Sequence, residues 1–134
     1  MKRLFFLALM VGALAACEPE PSPDAISLRQ LNNGPAGSTL SFDMTAQRAN
    51  IVVGTALAFD CDEVVQDDYR AQCNGLAVES NSRAVALRSV YRPRTDGSVS
   101  ATSAFAIVGM EPGTAQLQVR TLDNEYTLMV TVQP

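Results

Sequence analysis

The chain of 134 residues contains no histidine and no tryptophan, and its only lysine is Lys2. The lack of histidine excludes Ser-His-Asp and Cys-His catalysis and every histidine-ligated metal site. No Gly-x-Ser-x-Gly element and no glycine-rich phosphate loop is present either. We therefore expect a protein that is not an enzyme and that uses no cofactor.

Positive charge is scarce beyond the first few residues. Residues 17–134 hold eight arginines against fourteen aspartates and glutamates, a net charge of −6. Affinity for nucleic acid comes from lysine and arginine side chains that neutralise phosphates. We therefore expect no nucleic-acid partner.

No apolar run is long enough to cross a bilayer as a helix, which takes about 20 residues. The uncharged, mostly apolar stretch 4–16 follows Lys2 and Arg3, and this pattern predicts a signal peptide over residues 1–16. The last three residues of this segment and the cysteine that follows, Leu14-Ala15-Ala16-Cys17, resemble the lipobox of bacterial lipoproteins. The resemblance implies cleavage before Cys17, a diacylglyceryl group on its sulfur and a further acyl chain, such as palmitate, on its new amino group. An ordinary secretory signal followed by a chance cysteine is the alternative.

The residue after the lipidated cysteine sorts lipoproteins between membranes in some bacteria. Here it is Glu18, whereas the enteric inner-membrane retention signal is an aspartate. The resemblance therefore implies a lipid-anchored protein of the cell envelope, held in the outer membrane and facing the periplasm.

Two cysteines remain, Cys61 and Cys73, with eleven residues between them. A pair of cysteines in an exported protein is typical of a structural disulfide. A redox pair is the alternative, but it usually has the closer Cys-x-x-Cys spacing.

Residues 17–38 are rich in proline, glycine and asparagine, and they predict a lipidated cysteine followed by a flexible linker. Within this region, Ile26-Ser27-Leu28 alternates and could form a first, edge strand. The folded domain is predicted over residues 39–134.

From Thr39 onward, apolar residues recur every second position, and turn residues separate the runs. This periodicity predicts half-buried strands, and about seven of them in one antiparallel β-sandwich. The alternation places the side chains of Phe105, Leu117, Leu128 and Val130 on the buried face of their strands. It places the side chains of Gln118 and Thr127 on the outer face. Asp96-Gly97-Ser98 is predicted as a hairpin tip, and 63–72 is the best, though weak, helix candidate.

Three stretches of this domain resemble the group 2 bacterial immunoglobulin-like domains. They are the strand and glycine at 50–59, the Ser-Asn turn that begins at Ser80, and the strand with its Pro-Gly-Thr-Ala turn at 105–115, with a closing Val130-Thr131-Val132. The tryptophan usual before the Ser-Asn turn is missing. The resemblance implies an Ig-like sandwich that serves as a binding or spacer module.

Two charged clusters are candidate sites. Five carboxylates crowd into nine residues, Asp60, Asp62, Glu63, Asp67 and Asp68, and they predict either a calcium site outside the EF-hand pattern or a solvated acidic loop. A basic run with one aromatic residue, Arg88, Tyr91, Arg92 and Arg94, predicts either a surface for an acidic partner or the protection of a sheet edge.

These observations favour a membrane-anchored envelope lipoprotein whose Ig-like domain is a non-catalytic protein-binding or accessory module. The alternative is a lipoprotein inhibitor of a hydrolase that attacks the envelope. Such an inhibitor would insert the segment Asp62–Gln72 into the cleft of the enzyme.

Overall fold

The computed structural model describes residues 25–34, 40–66, 69–90 and 103–134. Over these ranges the chain forms ten β-strands and no helix, which confirms the all-β fold class. None of the described residues belongs to a helix that could span a membrane. The strands are β1 (Ile26–Gln30), β2 (Ser41–Asp43), β3 (Arg48–Val52), β4 (Ala56–Gln66), β5 (Tyr69–Gln72), β6 (Ala77–Ser80), β7 (Val85–Val90), β8 (Ala104–Gly109), β9 (Gly113–Arg120) and β10 (Glu125–Gln133).

The strands form two five-stranded sheets that face each other. The first sheet has the order β1-β4-β8-β7, and β5 also pairs with β4. The second sheet has the order β2-β3-β10-β9-β6. All pairs are antiparallel except β3 with β10, which is parallel. The second sheet is therefore mixed, whereas the sequence predicted an antiparallel sandwich.

The apolar alternation of the sequence marks the inner faces of both sheets. Phe105, Leu117, Leu128 and Val130 are all buried, as predicted. Leu128 lies opposite Leu117 across the β9–β10 pair, and Thr127 lies opposite Gln118. On the outer face, the Thr127 hydroxyl donates a hydrogen bond to Gln118 Oε1 over 3.1 Å. The predicted assignment of these side chains to the inner and outer faces is confirmed.

The sandwich begins earlier in the chain than residue 39. β1 pairs with β4 over five residues, and its side chains Ile26 and Leu28 are part of the buried core. The first, edge strand suggested by the alternation is thus present. The stretch 26–30 belongs to the folded domain and not to the linker.

The count of ten strands exceeds the predicted seven in part because β1 precedes the predicted domain and because β5 carries little apolar signal. β5 falls inside the predicted helix candidate 63–72, and most of its side chains are exposed. The pairing of β7 with β8 is antiparallel, as a hairpin requires, while the predicted tip at 96–98 lies outside the described residues.

Gly109 lies where the end of β8 meets the second sheet. A Cβ atom on Gly109 would lie only 2.7 Å from the carbonyl oxygen of Val52. Gly54 also donates its N–H to the carbonyl of Gly109 over 2.8 Å. The close approach of these two chain segments therefore leaves room only for glycine at position 109.

Tyr126 is a buried side chain at the start of β10, and its hydroxyl donates a hydrogen bond to the carbonyl of Met44 over 3.1 Å. Burial, with a smaller contribution from the negative charge of Asp43, raises the pKa of Tyr126 to about 12. In the unfolded chain the phenol ionises near pH 10. The folded state therefore keeps its proton to higher pH, and the stability contributed by Tyr126 is lost as the pH rises from about 10 to about 12.

We expect Tyr126→Phe to lower the free energy of unfolding at neutral pH by about 1 kcal/mol, because the hydrogen bond is lost. The same variant should lose less stability than the native protein between about pH 10 and 12, since position 126 then has no phenol to ionise. Urea unfolding at both pH values measures this difference. Tyr69→Phe, at an exposed position, is the matched control. An alkaline loss in Tyr126→Phe equal to that of the native protein would refute the assignment.

Candidate functional site

The segment that contains the acidic cluster is a β-hairpin. β4 runs past the end of β8, and β5 returns along it with Asp62 opposite Gln72 and Val64 opposite Arg70. A bulge between Val64 and Gln66 shifts the register before Tyr69 pairs with Gln66. The helix candidate is therefore wrong, because the polar side chains of this segment pair across two strands. We call residues 62–72 the acidic hairpin.

The acidic hairpin is closed at its base by the predicted disulfide. Cys61 and Cys73 are bonded, and their Cα atoms lie 5.4 Å apart. Both cysteines are buried, and Cys61 has no exposed surface. The Cys73 N–H also donates to the carbonyl of Cys61 over 2.9 Å. The predicted Cys61–Cys73 disulfide is confirmed.

Glu63 is a buried carboxylate that joins the acidic hairpin to the opposite sheet. Its Oε1 accepts the backbone N–H of Asn74 over 3.1 Å. Its Oε2 accepts the side-chain amide of Asn124 over 3.3 Å, and Asn124 lies in the turn between β9 and β10. Both carboxylate oxygens are thus used to hold three chain segments together.

Asp60 lies on the outer face of β4 and is nearly fully buried. It is opposite Arg29 in the β1–β4 pair, and Arg29 Nη2 lies 2.7 Å from Asp60 Oδ2. The arginine side chain is 64% exposed and that of the aspartate 3%. Because a charge-assisted hydrogen bond to a buried carboxylate offsets its desolvation, this pair secures the edge strand β1 to β4.

The described carboxylates of the acidic cluster do not form a calcium cage. Strand alternation places Asp60 and Asp62 on the outer face of β4 and Glu63 on the inner face. Among the described residues, no three acidic, cysteine or histidine side chains converge as metal ligands. Asp67 and Asp68, the other two predicted ligands, lie outside the described residues. Asp60 and Glu63 instead make contacts that join segments of the fold.

The end of the acidic hairpin presents an exposed aromatic side chain. Tyr69 is 70% exposed, and its neighbour Arg70 is also exposed. Leu122, in the turn between β9 and β10, is 71% exposed. Its N–H donates to the carbonyl of Asn74 over 3.1 Å, which holds this turn beside the hairpin base. The sequence analysis did not single out Tyr69 or Leu122, because only the three-dimensional pairing brings them to one end of the sandwich.

The predicted basic surface is described only at Arg88. This arginine is exposed on β7, which is the last strand of the first sheet. Its Nη1 donates to the carbonyl of Leu87 over 2.8 Å. A charged side chain at this position hinders pairing with another strand, as in the edge-protection alternative. Tyr91, Arg92 and Arg94 lie outside the described residues, as does the predicted lipidation site Cys17.

Two shallow depressions occur on the described surface. One, of about 110 Å³, lies between the edge strands β6 and β7 and is lined by Leu76, Val78, Leu87, Arg88, Ser89, Ala104 and Phe105. The other, of about 250 Å³, lies on the second sheet and is lined by Glu79, Ser80, Asn81, Gln116 and Gln118. Pockets for small ligands usually span about 300–1,000 Å³. Both depressions are smaller than this range.

No protein-family model matches this chain, and neither does any curated protein. Among solved structures, domains 4 and 5 of the S-layer protein SbsC match 63% of the chain at 15% identity, with a TM-score of 0.49. Two longer SbsC structures match 84% of the chain at 14% identity, with TM-scores of 0.45 and 0.47. The chain spans 40% of the first of these structures and 13% of the other two. Nothing about function follows from likenesses this weak.

Proposed function

We propose that the mature protein is a lipid-anchored component of the bacterial envelope whose β-sandwich is a non-catalytic protein-binding or accessory module. The sequence Leu14-Ala15-Ala16-Cys17 supports the anchor. The Cys61–Cys73 disulfide supports an exported location, because disulfides persist in oxidising compartments such as the periplasm.

The non-catalytic part of the proposal rests on the contacts that the buried carboxylates make. Asp60 pairs with Arg29, and Glu63 accepts hydrogen bonds from Asn74 and Asn124. These contacts engage the two acidic side chains that are most shielded from water among the described residues. A general acid or base must instead be free to exchange a proton with a substrate. We therefore assign these carboxylates to the assembly of the domain.

We expect Cys17→Ser to abolish lipid attachment and to release the protein from the membrane, or to leave it unprocessed. Labelling of cells with radioactive palmitate, followed by membrane fractionation, measures both effects. Cys61→Ala, which leaves the lipobox intact, is the control and should keep the label. Incorporation of label into Cys17→Ser would show that another residue carries the lipid.

The partner-binding part of the proposal is tested with the native lipoprotein. Photo-crosslinking groups placed at exposed positions across the sandwich, such as Met110 and Met129, should yield discrete adducts in the living envelope. Mass spectrometry then identifies the partner. If adducts form at no exposed position while the protein is anchored and folded, the binding role is refuted.

The inhibitor remains a second candidate, and the acidic hairpin is the observation that favours it. A hairpin that is closed at its base by a disulfide is preorganised. This preorganisation lowers the entropic cost of binding in an enzyme cleft. Its exposed residues Tyr69 and Arg70 would make the contacts. In this case the purified protein should slow an envelope-degrading hydrolase, and Tyr69→Ala should weaken that effect. Unchanged hydrolysis in the presence of the native protein would exclude this candidate.

A further inference from the structure

The chain enters the sandwich beside the acidic hairpin. The carbonyl of Ala25, the residue before β1, accepts the N–H of Val64 over 2.8 Å. Val64 pairs with Arg70, and the pair Gln66–Tyr69 follows it at the described end of the hairpin. Leu122 lies beside the base of the same hairpin. We call the end of the sandwich that contains Ala25, Val64, Tyr69, Arg70 and Leu122 the entry end.

The length of chain between the proposed anchor and Ala25 restricts how the domain can face the membrane. Seven residues, 18–24, separate Cys17 from Ala25, and their fully extended reach is about 25 Å. Ala25 lies beside Val64, and the eight positions from Val64 back to Ala56, where β4 begins, span about 27 Å. Because the tether reaches about as far, the opposite end lies between Ala25 and the bilayer only if the tether is pulled straight. The tether length therefore favours the orientation in which the entry end faces the membrane.

The entry end also carries the most exposed large apolar side chains among the described residues. Tyr69 and Leu122 are 70% and 71% exposed. The next most exposed is Met110 at 53%, and it follows β8 at the opposite end of the sandwich. A tyrosine suits the membrane interface, because its ring is apolar and its hydroxyl remains hydrated.

The charges of the entry end indicate which kind of lipid surface it fits. Arg70 is exposed beside Tyr69 and can bind a lipid phosphate. The acidic hairpin nevertheless carries more carboxylates than arginines, so an anionic membrane would repel it. A zwitterionic headgroup layer offers phosphate to Arg70 without a net negative charge.

We propose that the entry end docks on the zwitterionic headgroup layer of the membrane that holds the Cys17 anchor, with Tyr69 and Leu122 as the contacting side chains. This inference rests on the proposed lipid anchor. Its consequence is that the opposite end, with Met110, faces away from the membrane and toward partners. It also turns the acidic hairpin away from any soluble hydrolase.

The absence of tryptophan from the native chain permits a direct test. Tyr69→Trp places one fluorophore at the entry end, and Met110→Trp, the matched control, places one at the opposite end. Each full-length lipoprotein is reconstituted into phosphatidylcholine vesicles that contain nitroxide-labelled headgroups. We expect the indole of Tyr69→Trp to lose most of its emission, and that of Met110→Trp to keep it. Leu122→Trp repeats the test on a turn of the other sheet, and it decides the result if Tyr69→Trp does not fold.

The outcomes separate this inference from the proposed anchor. Flotation of the protein with the vesicles reports the anchor, and quenching reports the docking. A protein that floats while Tyr69→Trp and Leu122→Trp stay unquenched would overturn the docking and leave the anchor in place. Stronger quenching of Met110→Trp would overturn the orientation. Failure to float would overturn the anchor and this inference with it.

Discussion

Leu117→Ala and Leu128→Ala should each lower the free energy of unfolding by about 2–5 kcal/mol, through lost transfer energy and the cavity left behind. Both side chains have no exposed surface, and they lie opposite each other in the β9–β10 pair. The close packing of protein interiors leaves little room for neighbouring side chains to fill the space. Urea unfolding of the purified protein measures the loss.

The matched controls are the neighbours on the opposite face of the same strands. Gln118→Ala and Thr127→Ala remove one hydrogen bond between two side chains on the outer face, and each should cost less than about 1 kcal/mol. If Gln118→Ala proved as damaging as Leu117→Ala, the alternation would not mark a single buried face. The sandwich assignment would then fail.

Removal of the disulfide should have the next largest effect. The chain-entropy model gives a loss of about 3 kcal/mol for a closed loop of this length. For a domain of about 110 residues this corresponds to a fall in melting temperature of roughly 10–20 °C. Thermal unfolding of Cys61→Ala/Cys73→Ala measures it, and limited proteolysis should show cleavage that begins in the acidic hairpin.

Reductant supplies the control for that experiment. Dithiothreitol should lower the melting temperature of the native protein and leave that of Cys61→Ala/Cys73→Ala unchanged, because the variant has no bond to reduce. Two free thiols at Cys61 and Cys73 in protein isolated from the envelope would contradict the structure. Equal stability of the native protein and the double variant would contradict the energetic argument.

Much of the fold was predictable because its long strands each bury one face. β9 and β10 alternate between apolar and polar residues apart from the exposed Met129, and their inward side chains, such as Leu117 and Val130, are buried as predicted. The cysteine pair was predictable for a separate reason, because the signal pattern predicts export and two cysteines beyond Cys17 in an exported chain favour a disulfide. Local periodicity and residue count were sufficient in both cases.

The acidic hairpin was not predictable from periodicity. β5 has no buried face, so tertiary pairing with β4, and not an apolar pattern, determines its conformation. The role of Glu63 depends on Asn124, which is 61 residues away in the sequence. Arg29 pairs with Asp60 across the β1–β4 strand pair, although the two residues are 31 positions apart in the sequence. Contacts at such distances leave no signal in a single sequence.

The early boundary of the folded domain matters for function. Because β1 belongs to the sandwich, the tether from the proposed anchor at Cys17 shortens to the seven residues before Ala25. A tether that ended at residue 39 would have allowed the domain to turn freely above the membrane. The short tether is what makes the orientation of the acidic hairpin a testable property.

The intact mass of the mature protein isolated from the envelope tests the proposed function most directly. A lipid-anchored, exported protein should begin at Cys17, carry a diacylglyceryl group and an N-linked acyl chain there, and be two hydrogens lighter than the reduced chain because of the Cys61–Cys73 bond. Treatment with a reductant should restore those two hydrogens and leave the lipid in place. A mature chain with an unmodified Cys17, or one that begins at another residue, would contradict the proposal.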